Sequence, residues 1–558
     1  MTLDALLNLI HRLMTGAWAY ALLALFALAL FLPGIAALPP QDRDESRFAQ
    51  ASRQMVETGN IIDIRFQDES RNKKPVGIYW LQASAAKIFG TEQIWPYRLP
   101  SLLGAFAAVL ALAALARPAF GRVAGLTAAF LLASSLLLTV EAHLAKTDAM
   151  LLLTIVVGQL ALAQAYVKTR AGDSVGRAVI LAFWLAQGVG LLIKGPVTPL
   201  IALLTIVALW LADLRGGNPS GLVKALRPAI GIPVALAIAA PWFIAISLGD
   251  SGFIKEAIGQ DLLPKLLGGQ EAHGAPPGYY LLTVMITFWP AALLAWPGAI
   301  WAWRNKQAPG PRFLLAWLIP GWLMFELIPT KLPHYILPLL PAIALMAAMA
   351  LRETPEALGA TLRSWGGRAL IILWSALGLA LGGLMLVGSV ILERRFPIVG
   401  LLPLLGALIA IWLGATAAWR GQARRAIAVA ILVTPLMWPA IFSHLLPTLD
   451  SLWLSRAVAQ AVTKHDSSAT RPPVASVGYH EPSLVFWLGT NTLLATPTSA
   501  AQHLAKQPTA IAVIAQRHET EFLVAATDLG LTPIGVDIVE GFNTARGRRE
   551  SLRLYSAR

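Results

Sequence analysis

The chain of 558 residues contains no cysteine. Disulfide bonds and thiolate metal sites are therefore excluded, and any metal ion would need histidine and carboxylate ligands. Charged residues are also few, since they make up 13% of the chain, whereas a soluble domain carries about 25%. With 56% hydrophobic residues, the composition predicts a polytopic α-helical membrane protein.

Negative charge is the scarcer sign, because 44 Lys and Arg residues outnumber 30 Asp and Glu residues, for a formal net charge of +14. In a soluble protein this excess would suggest nucleic acid as a partner. In a membrane protein it fits basic cytoplasmic loops and anionic lipid head groups better, so we expect membrane lipids and no nucleic acid.

Apolar windows of about 20 residues predict about 13 transmembrane helices. Their centres lie near Phe26, Ala107, Phe130, Val156, Leu185, Thr205, Leu236, Ala291, Pro320, Ile343, Ala380, Leu408 and Leu436. Most short basic loops fall on one side of this arrangement, which makes that side cytoplasmic by the positive-inside rule. The N-terminus is then cytoplasmic and the C-terminus lies outside. Residues Leu3 to Met14 predict an amphipathic helix on the membrane surface.

Two long loops and a polar C-terminal region lie on the outer side in this topology. The membrane domain would span residues 1–447, and its outer loops would be residues 39–97, with two amphipathic surface helices and a strand-like run at 61–66, and residues 248–280. Residues 448–558 alternate predicted strands and helices, which indicates a small α/β domain. The strands are expected at 474–477, 509–514 and near 533–536, and the helices near 482–488 and 519–529.

The first outer loop opens with a charged stretch, Pro39 to Arg53, directly after the first apolar segment. Its acidic pair, Asp44 and Glu45, stands at the start of a predicted helix. Such a pair could simply complement the helix dipole, and residue types alone leave that alternative open. Polar groups at a membrane face are costly unless they meet water, partners or substrate, which favours a functional role.

Polar clusters from distant parts of the chain recur at the same predicted face. They are Arg71 to Lys74, His143 to Asp148, Lys194, Asp261 to Tyr280 and Pro329 to Tyr335. Each has a simpler alternative, such as a solvated basic patch, a helix cap, a pair of interfacial tyrosines or a snorkelling lysine. Together they bring cations and carboxylates to one membrane surface, which suits a substrate with a phosphate at that surface and a lipid tail in the bilayer.

Five ordered motifs between residues 39 and 341 resemble those of a known family. The run Asp44-Glu45-Ser46-Arg47-Phe48-Ala49-Gln50 is similar to the first-loop signature Asp-Glu-(Ser/Thr)-Arg-Tyr-(Ala)-Glu of C-type membrane glycosyltransferases (GT-C) related to protein O-mannosyltransferases. This motif alone marks only the superfamily. The sequence departs from it at Phe48, where tyrosine is usual, and at Gln50, where glutamate is usual, so position 50 offers no second carboxylate.

The other four motifs resemble bacterial 4-amino-4-deoxy-L-arabinose lipid A transferases more closely. They are Lys74-Pro75 with Gly77 and Tyr79-Trp80, Lys194-Gly195, His273-Gly274-Ala275-Pro276 with Tyr279-Tyr280, and Lys331-Leu332-Pro333-His334-Tyr335-Ile336-Leu337-Pro338. Their order and spacing match, and the set of five is much more specific than any one motif. Beyond residue 341 only the architecture agrees.

This resemblance implies a GT-C fold and an inverting pentosyltransferase. The donor would be undecaprenyl phosphate carrying 4-amino-4-deoxy-L-arabinose, and the acceptor a lipid A phosphate. The reaction would occur at the periplasmic face of a bacterial inner membrane, on the same side as the C-terminal domain. Masking a phosphate with an aminosugar would give resistance to polymyxin and other cationic peptides. No nucleotide sugar is used in such a transfer, which agrees with the lack of a Rossmann glycine pattern or a cytoplasmic Asp-x-Asp motif.

The resemblance and the charge pattern together nominate site residues. The predicted catalytic residues are Asp44, Asp148 and Glu45. The predicted substrate-binding residues are Lys74, Arg47, Lys194, His273, Tyr279, Tyr280, Lys331 and Tyr335. Lys74 and Lys331 would stabilise the charge that develops on the leaving polyprenyl phosphate. A lipid A phosphate is already ionised, so Asp44 would position the acceptor or bind the ammonium group of the donor, with Asp148 as its partner.

No cofactor is required for this reaction. If a divalent metal binds, His273 and Glu271 are its candidate ligands, and we expect it to have no catalytic part because no close ligand spacing occurs.

Other functions stay open at this point. The first-loop motif does not separate the aminoarabinose enzyme from a protein O-mannosyltransferase or another polyprenyl-phosphate sugar transferase. A flippase or transporter for a lipid-linked sugar would more often show internal repeats and polar residues near the bilayer middle. A structural assembly protein with an outer docking domain would leave the motifs unexplained.

Overall fold

The computed structural model describes residues 16–557 except residues 17, 215–219, 250–251, 254–274 and 466–471. The predicted surface helix Leu3 to Met14 and the candidate residues His273 and Glu271 lie outside the described residues. The helical segments of the membrane part are Ala19–Phe31, Asp44–Thr58, Gly77–Phe89, Trp95–Leu115, Arg117–Phe120, Arg122–Ser134, Leu136–Ala142, Asp148–Ala171, Arg177–Lys194, Val197–Asp213, Ser220–Leu226, Pro228–Leu248, Tyr279–Thr287, Ala291–Leu294, Ala295–Arg304, Pro309–Leu327, Pro333–Leu339, Leu340–Glu353, Pro355–Arg363, Trp365–Glu393, Ile398–Gly400, Leu401–Ile409, Ala410–Ala415, Thr416–Trp419, Ala423–Leu432, Thr434–Ala440 and Ile441–Leu445.

The protein crosses the membrane many times. Each of the predicted span centres falls within one of these helical segments. Within the described ranges, 8 helices are long and apolar enough to span a bilayer, or 9 if Arg122–Ser134 and Leu136–Ala142, bent by 67°, form one span. The other predicted spans are shorter or broken helices, such as Ala19–Phe31 and the segments around Ala291. The polytopic helical class is therefore confirmed.

Small residues allow the central helices to approach closely. A Cβ on Gly104 would lie 2.8 Å from the backbone nitrogen of Met150, and one on Gly125 would lie 2.8 Å from the carbonyl oxygen of Ala113. Close backbone approach at small residues is how helices gain packing contacts where the hydrophobic effect does not drive them together. The long helix Trp365–Glu393 is in contrast mostly exposed, so it presents its leucine and isoleucine side chains to lipid.

Three buried tryptophans pack the second half of the helix bundle against the first half. Trp289 and Trp374 stack with ring centroids 5.8 Å apart, and Trp438 packs against Trp289 edge to face. The indole N–H of Trp374 donates to the carbonyl of Pro290 at 2.9 Å, and that of Trp438 donates to the carbonyl of Ser134 at 2.9 Å. Buried indoles need such acceptors, because an unpaired N–H in an apolar interior is costly.

The first loop is ordered, and its two predicted helices are present as Asp44–Thr58 and Gly77–Phe89. The predicted strand-like run is shorter than expected, because only Arg65–Phe66 (β1) pairs, with Glu69–Ser70 (β2), in a small hairpin. Ser52 on the first helix donates to Gln82 on the second at 2.8 Å.

The first-loop helix is fixed to the membrane part by a fully buried ion pair. Arg98 donates to both carboxylate oxygens of Glu45, at 2.7 and 2.9 Å. Its remaining N–H groups donate to the carbonyls of Ile35, Leu38 and Pro39. A buried charge pair is tolerated when its remaining donors and acceptors are also satisfied, as they are here. This pair therefore sets where the acidic helix starts, relative to the span Trp95–Leu115.

The C-terminal region folds as a five-stranded mixed sheet with helices packed on it. Its strands are Val474–Val477 (β3), Leu493–Ala495 (β4), Ile511–Ala515 (β5), Ile534–Asn543 (β6) and Arg548–Ser556 (β7), in the order β4-β3-β5-β7-β6. β3 pairs in parallel with β4 and β5, whereas β7 pairs antiparallel with β5 and β6. The helical segments from residue 446 onwards are Leu446–Thr448, Asp450–Leu452, Leu454–His465, Pro482–Leu488, Pro497–Lys506, Gln516–His518 and Glu519–Asp528.

The three predicted strands and two predicted helices of this small α/β domain are confirmed. β4 and β7 were not predicted. β4 is only three residues long, and β7 carries several charged residues, so neither shows a clear apolar alternation.

We expect a large loss of stability when one partner of the buried Glu45–Arg98 pair is removed. Arg98→Leu should lower the stability of the protein by about 3 to 5 kcal/mol, because it leaves the Glu45 carboxylate buried without its counter-charge. Thermal unfolding in detergent measures the loss. Arg549→Leu, which replaces an exposed arginine, is the control and should change little. Equal melting temperatures for Arg98→Leu and the native chain would show that this pair does not fix the loop.

Candidate active site

Asp44 stands at the first position of the helix Asp44–Thr58, where the chain leaves the membrane part. Its side chain remains in contact with solvent. Partial loss of solvation opposes its ionisation, but the positive charges of Lys146 and Arg71 outweigh that effect and hold the pKa of Asp44 below its usual range. Asp44 is therefore an ionised, accessible carboxylate surrounded by cations.

Asp148 and Lys194 form the second charged element of the site. Asp148 begins the helix Asp148–Ala171, and Lys194 ends the helix Arg177–Lys194 just before the turn at Gly195. The Lys194 Nζ atom donates to Asp148 Oδ1 at 2.6 Å. His334 approaches the same carboxylate, with its Nε2 atom 4.0 Å from Asp148 Oδ1. Three distant motifs thus meet at one carboxylate.

Lys146 lies between the two aspartates and a third carboxylate. Its Nζ atom donates to Glu141 Oε1 at 3.0 Å, and its side chain is almost fully buried. Burial opposes its charge, but Glu141, Asp148 and Asp44 outweigh burial and raise the pKa of Lys146. Glu141 Oε2 is buried and has no hydrogen-bond partner among the described residues. Lys146 is therefore a permanent cation shared by carboxylates of the site.

Two arginines lie beside Asp44. The Arg71 guanidinium donates to the Tyr79 hydroxyl at 3.2 Å and lies 5.1 Å from the centre of the Phe48 ring. Burial and the nearby positive charge of Arg71 lower the pKa of Arg47. Adjacent guanidinium groups repel each other unless an anion lies near them, and a phosphate is the anion that their planar donor geometry binds best. Phe48, where related proteins usually have tyrosine, provides the ring on which Arg71 rests.

Gly77 lets the second loop helix pack closely against the end of the helix Arg177–Lys194. A Cβ at Gly77 would lie 2.7 Å from the carbonyl oxygen of Leu192, closer than side chains normally come. The glycine of the Lys74-Pro75 motif is thus needed for contact between the helix Gly77–Phe89 and the end of the helix Arg177–Lys194. Lys74 itself is half-buried in the same segment.

Glu45 does not have the catalytic role predicted for it. Its two oxygens accept from Arg98, from the backbone N–H of Gln41 at 2.8 Å and from that of Ala145 at 2.8 Å. The residue is 1% exposed. A carboxylate occupied and enclosed in this way cannot contact a substrate, so Glu45 is a structural residue that positions Asp44.

Lys331 also differs from its predicted role. Its Nζ atom donates to the carbonyls of Glu326 at 2.7 Å and Ile328 at 2.9 Å, which lie at and just beyond the end of the helix Pro309–Leu327. The residue is 5% exposed. Lys331 therefore caps this helix end, which uses two of the three donors of its ammonium group.

The tyrosines lie around the same helix end. Glu326 accepts from the backbone N–H groups of Gly278 and Tyr280, both at 3.0 Å, and thereby caps the helix Tyr279–Thr287. Tyr280 is fully buried, and its hydroxyl donates to the carbonyl of Leu332 at 3.2 Å, which indicates a structural role. Tyr279 and Tyr335 are half-buried and remain candidates for substrate contact.

The described residues contain no group of three or more His, Asp and Glu side chains suited to a metal ion. The predicted ligands His273 and Glu271 lie outside the described ranges, so a metal at that loop stays a prediction.

Sequence comparisons find related proteins. Residues 73–244 match the family model described as dolichyl-phosphate-mannose-protein mannosyltransferase. An undecaprenyl phosphate-alpha-4-amino-4-deoxy-L-arabinose arabinosyl transferase of Pseudomonas fluorescens is 28% identical over 390 residues, which cover 69% of this chain and 67% of that protein.

Solved structures give the fold directly. ArnT from Cupriavidus metallidurans bound to undecaprenyl phosphate matches with a TM-score of 0.71 over 96% of this chain and 97% of that chain, at 20% identity. The oligosaccharyltransferase of Archaeoglobus fulgidus matches with a TM-score of 0.54 over 91% of this chain and 70% of that chain, at 15% identity. The chain has the GT-C fold. The resemblance drawn from the five motifs is confirmed.

Four residues of the site in this GT-C fold were not among the individual site residues predicted from the sequence. They are Arg71, Glu141, Lys146 and His334. Arg71, Lys146 and His334 lie within motif stretches that the sequence had singled out, but choosing among neighbouring lysines and histidines needs the fold. Glu141 lies in an apolar span, and a charged residue at such a position is itself a signal of function.

Gly77 gives a test of the helix contact. Gly77→Ala should destabilise the protein by about 1 to 3 kcal/mol, because the added methyl group forces the loop helix away from the Leu192 carbonyl. The melting temperature in detergent measures this effect. Gly383→Ala is the matched control, since a Cβ at Gly383 meets no atom within 4 Å. If both variants melt alike, the close approach at Gly77 does not hold the two helices together.

Proposed function

We propose that this chain transfers 4-amino-4-deoxy-L-arabinose from undecaprenyl phosphate to a phosphate of lipid A, at the periplasmic face of a bacterial inner membrane. The N-terminus would be cytoplasmic and the sheet domain periplasmic. The product would carry a positive amino group on lipid A, which weakens attraction of cationic peptides such as polymyxin.

The observation that carries this proposal is the accessible Asp44 carboxylate surrounded by cations from separate motifs at one membrane face. Lys146 and Arg71 approach it, and the Asp148–Lys194 pair lies at the same mouth. Such a site can hold a phosphate at the surface while its lipid tail stays in the bilayer. The fold shared with an ArnT structure bound to undecaprenyl phosphate supports this donor.

The reaction is a displacement at the anomeric carbon. An oxygen of the acceptor phosphate forms a bond to that carbon while the bond to the donor phosphate oxygen breaks, and undecaprenyl phosphate leaves with the electron pair. Attack opposite the leaving group inverts the configuration. The acceptor phosphate is already ionised near neutral pH, so no general base is needed for the attack.

The leaving phosphate gains negative charge in the transition state. Arg47 and Arg71, which lie close to each other and to Asp44, are the groups best placed to stabilise it, and Lys74 lies in the same loop. Fixed cations act strongly there, because they need no reorganisation as charge develops. Lys194 contributes by holding Asp148 in place rather than by meeting the phosphate directly.

Asp44 serves a different purpose in this mechanism. As an ionised carboxylate it attracts the ammonium group of the donor sugar or orients the acceptor against the anomeric carbon. Asp148, with Lys194 and His334 beside it, is its partner at the mouth of the span. Holding two reactants in place lowers the entropic part of the barrier.

A protein O-mannosyltransferase is the second candidate, because the matching family model carries that description. The four later motifs and the whole-length structural match favour the aminoarabinose reaction. A flippase would need polar residues across the bilayer, whereas the described cluster lies at one face.

Lipid A mass spectrometry tests the proposed reaction. The native chain, expressed in a strain that makes the lipid-linked donor but lacks its own transferase, should add a pentosamine to lipid A. Asp44→Ala should abolish the addition. Leu103→Ala, which changes an exposed side chain of a span, is the control and should retain it. Unmodified lipid A despite confirmed membrane expression of the native chain would point to another acceptor, such as a periplasmic protein.

Lys74 and its neighbour Lys73 allow a matched test of phosphate binding. Lys74→Ala should weaken binding of undecaprenyl phosphate by roughly tenfold, the loss of one charge-assisted contact of about 1.5 kcal/mol. Lys73→Ala removes the same charge from an exposed position and should leave binding nearly unchanged. Native mass spectrometry or microscale thermophoresis can measure both. Equal binding by the two variants would remove Lys74 from the phosphate site.

A further inference from the structure

The sheet domain contacts the helix that carries Asp44 on both sides of that residue. Before Asp44, the Ser483 hydroxyl donates to the Asp42 carboxylate, and the Arg43 side chain donates to the carbonyl of Ala545. The hydroxyl oxygens of Ser483 and Ser455 lie 2.6 Å apart, and Ser483 accepts this bond because its own proton is used on Asp42. The residues Ser455, Ser483 and Ala545 all belong to the C-terminal region. Its contact with the loop is therefore a set of specific polar bonds.

After Asp44, a second group of bonds centres on Thr490, in the turn between the helix Pro482–Leu488 and β4. Gln50 Nε2 donates to the Thr490 hydroxyl at 2.7 Å, and that hydroxyl donates to Glu57 Oε2 at 2.7 Å. Gln67, in the hairpin turn, donates to the carbonyls of Thr490 and Thr492 at 3.0 and 2.6 Å. The hydroxyl thus acts as acceptor and donor at once, which neither valine nor alanine can reproduce.

Arg53 completes this polar interface. Its guanidinium donates to the carbonyl of Phe486 at 3.2 Å while it pairs with Glu57 and Glu92. The ring of Phe486 packs edge to face against Tyr97 at 5.6 Å, so the interface also reaches the span Trp95–Leu115. The interface formed by Asp42, Gln50, Arg53, Gln67 and their partners in the sheet domain is called the polar seam below.

The polar seam lies close enough to Asp44 to affect the site. Asp42 and Gln50 bracket Asp44 in the sequence, so the contacts of the sheet domain with these two residues restrain the direction of the helix that the Glu45–Arg98 pair anchors. Burial raises the pKa of Asp42 to about 6, and the Ser483 hydroxyl and the nearby Arg47 charge oppose that rise, while Glu481 adds to it. A carboxylate kept at this interface despite that cost is held there by its partners in the sheet domain.

We propose that Thr490 and Ser483 of the sheet domain are positioning residues for sugar transfer, which hold the first-loop helix so that Asp44 faces the reacting groups. This inference rests on the proposed function. It gives the sheet domain a part in turnover without any contact with substrate.

The identity of residue 50 fits this role. Related first-loop motifs usually have glutamate there, whereas Gln50 supplies an N–H donor to Thr490. An ionised glutamate could only accept, and the single Thr490 proton is already used on Glu57. Gln50 thus makes a bond to the sheet domain that glutamate could not make, although its Oε1 atom is buried with no hydrogen-bond partner among the described residues.

Kinetics of the purified full-length chain test the inference, with lipid-linked donor and lipid A as substrates. Thr490→Val should lower kcat roughly tenfold or more with little change in KM for the donor, because displacement by about 1 Å costs rate and not lipid binding. Thr490→Ser keeps the hydroxyl and should restore the native kcat. Thr527→Val, on the exposed helix Glu519–Asp528, should match the native chain.

Asp44→Asn separates this inference from the proposed function. If Asp44→Asn is inactive and Thr490→Val keeps the native kcat, the polar seam does not position Asp44 and the inference fails alone. If Asp44→Asn retains full activity, the role proposed for Asp44 is wrong, and the inference that depends on that role fails with it. Ser483→Ala tests the other side of the polar seam with the same expected kcat loss, and it decides the matter if Thr490→Val does not yield folded protein.

Discussion

Charges at the edge of a bilayer must be paired, and this constraint organises the whole loop face. Glu45 and Arg98 are both fully buried, and each uses every available donor or acceptor on the other or on nearby backbone. An unpaired ion in this environment would cost several kcal/mol. Once Glu45 is fixed, the start of its helix is anchored to the membrane part, and Asp44 is placed one residue before the anchor.

The same constraint explains why the site is rich in cations. Asp44, Asp148 and Glu141 bring three carboxylates to the membrane face, and Lys146, Lys194 and Arg71 balance them. Arg47 adds a further cation, which also lies near the carboxylates of Asp42 and Glu481. Cations held at one membrane face attract a phosphate, and the carboxylates beside them keep each cation in a defined place. Charge balance and catalysis are therefore served by the same residues.

Much of this could be predicted from the sequence. The length of apolar runs places the span centres, because a bilayer sets the length of any segment that crosses it. The motif stretches of the site lie where patterns of charge interrupt those runs. The sequence could not show in the same way which of two neighbouring charged residues faces the site. Asp44 and Glu45 differ by one position, yet 100° of helical rotation sends one to solvent and the other into the core.

Other residues depended on contacts between distant segments. Lys331 looks like a phosphate ligand by residue type, but two of its three ammonium donors bind carbonyls at the end of the preceding helix, Pro309–Leu327. Arg98 has no motif that marks it, although it fixes the first loop. The sheet domain carries no catalytic motif, and its connection to Asp44 through Thr490 becomes visible only when residues 440 positions apart are seen to bond. Such contacts have no local sequence signal.

The most direct test of the central claim is an experimental structure of the full-length chain with undecaprenyl phosphate in lipid nanodiscs. The phosphate should lie within hydrogen-bond distance of Arg47 and Arg71, beside Asp44, with the polyprenyl tail directed into the bilayer. A phosphate bound away from this cluster would contradict the proposed site. One such place is the Asp213–Arg312 pair, at the end of the helix Val197–Asp213 that is far from Lys194.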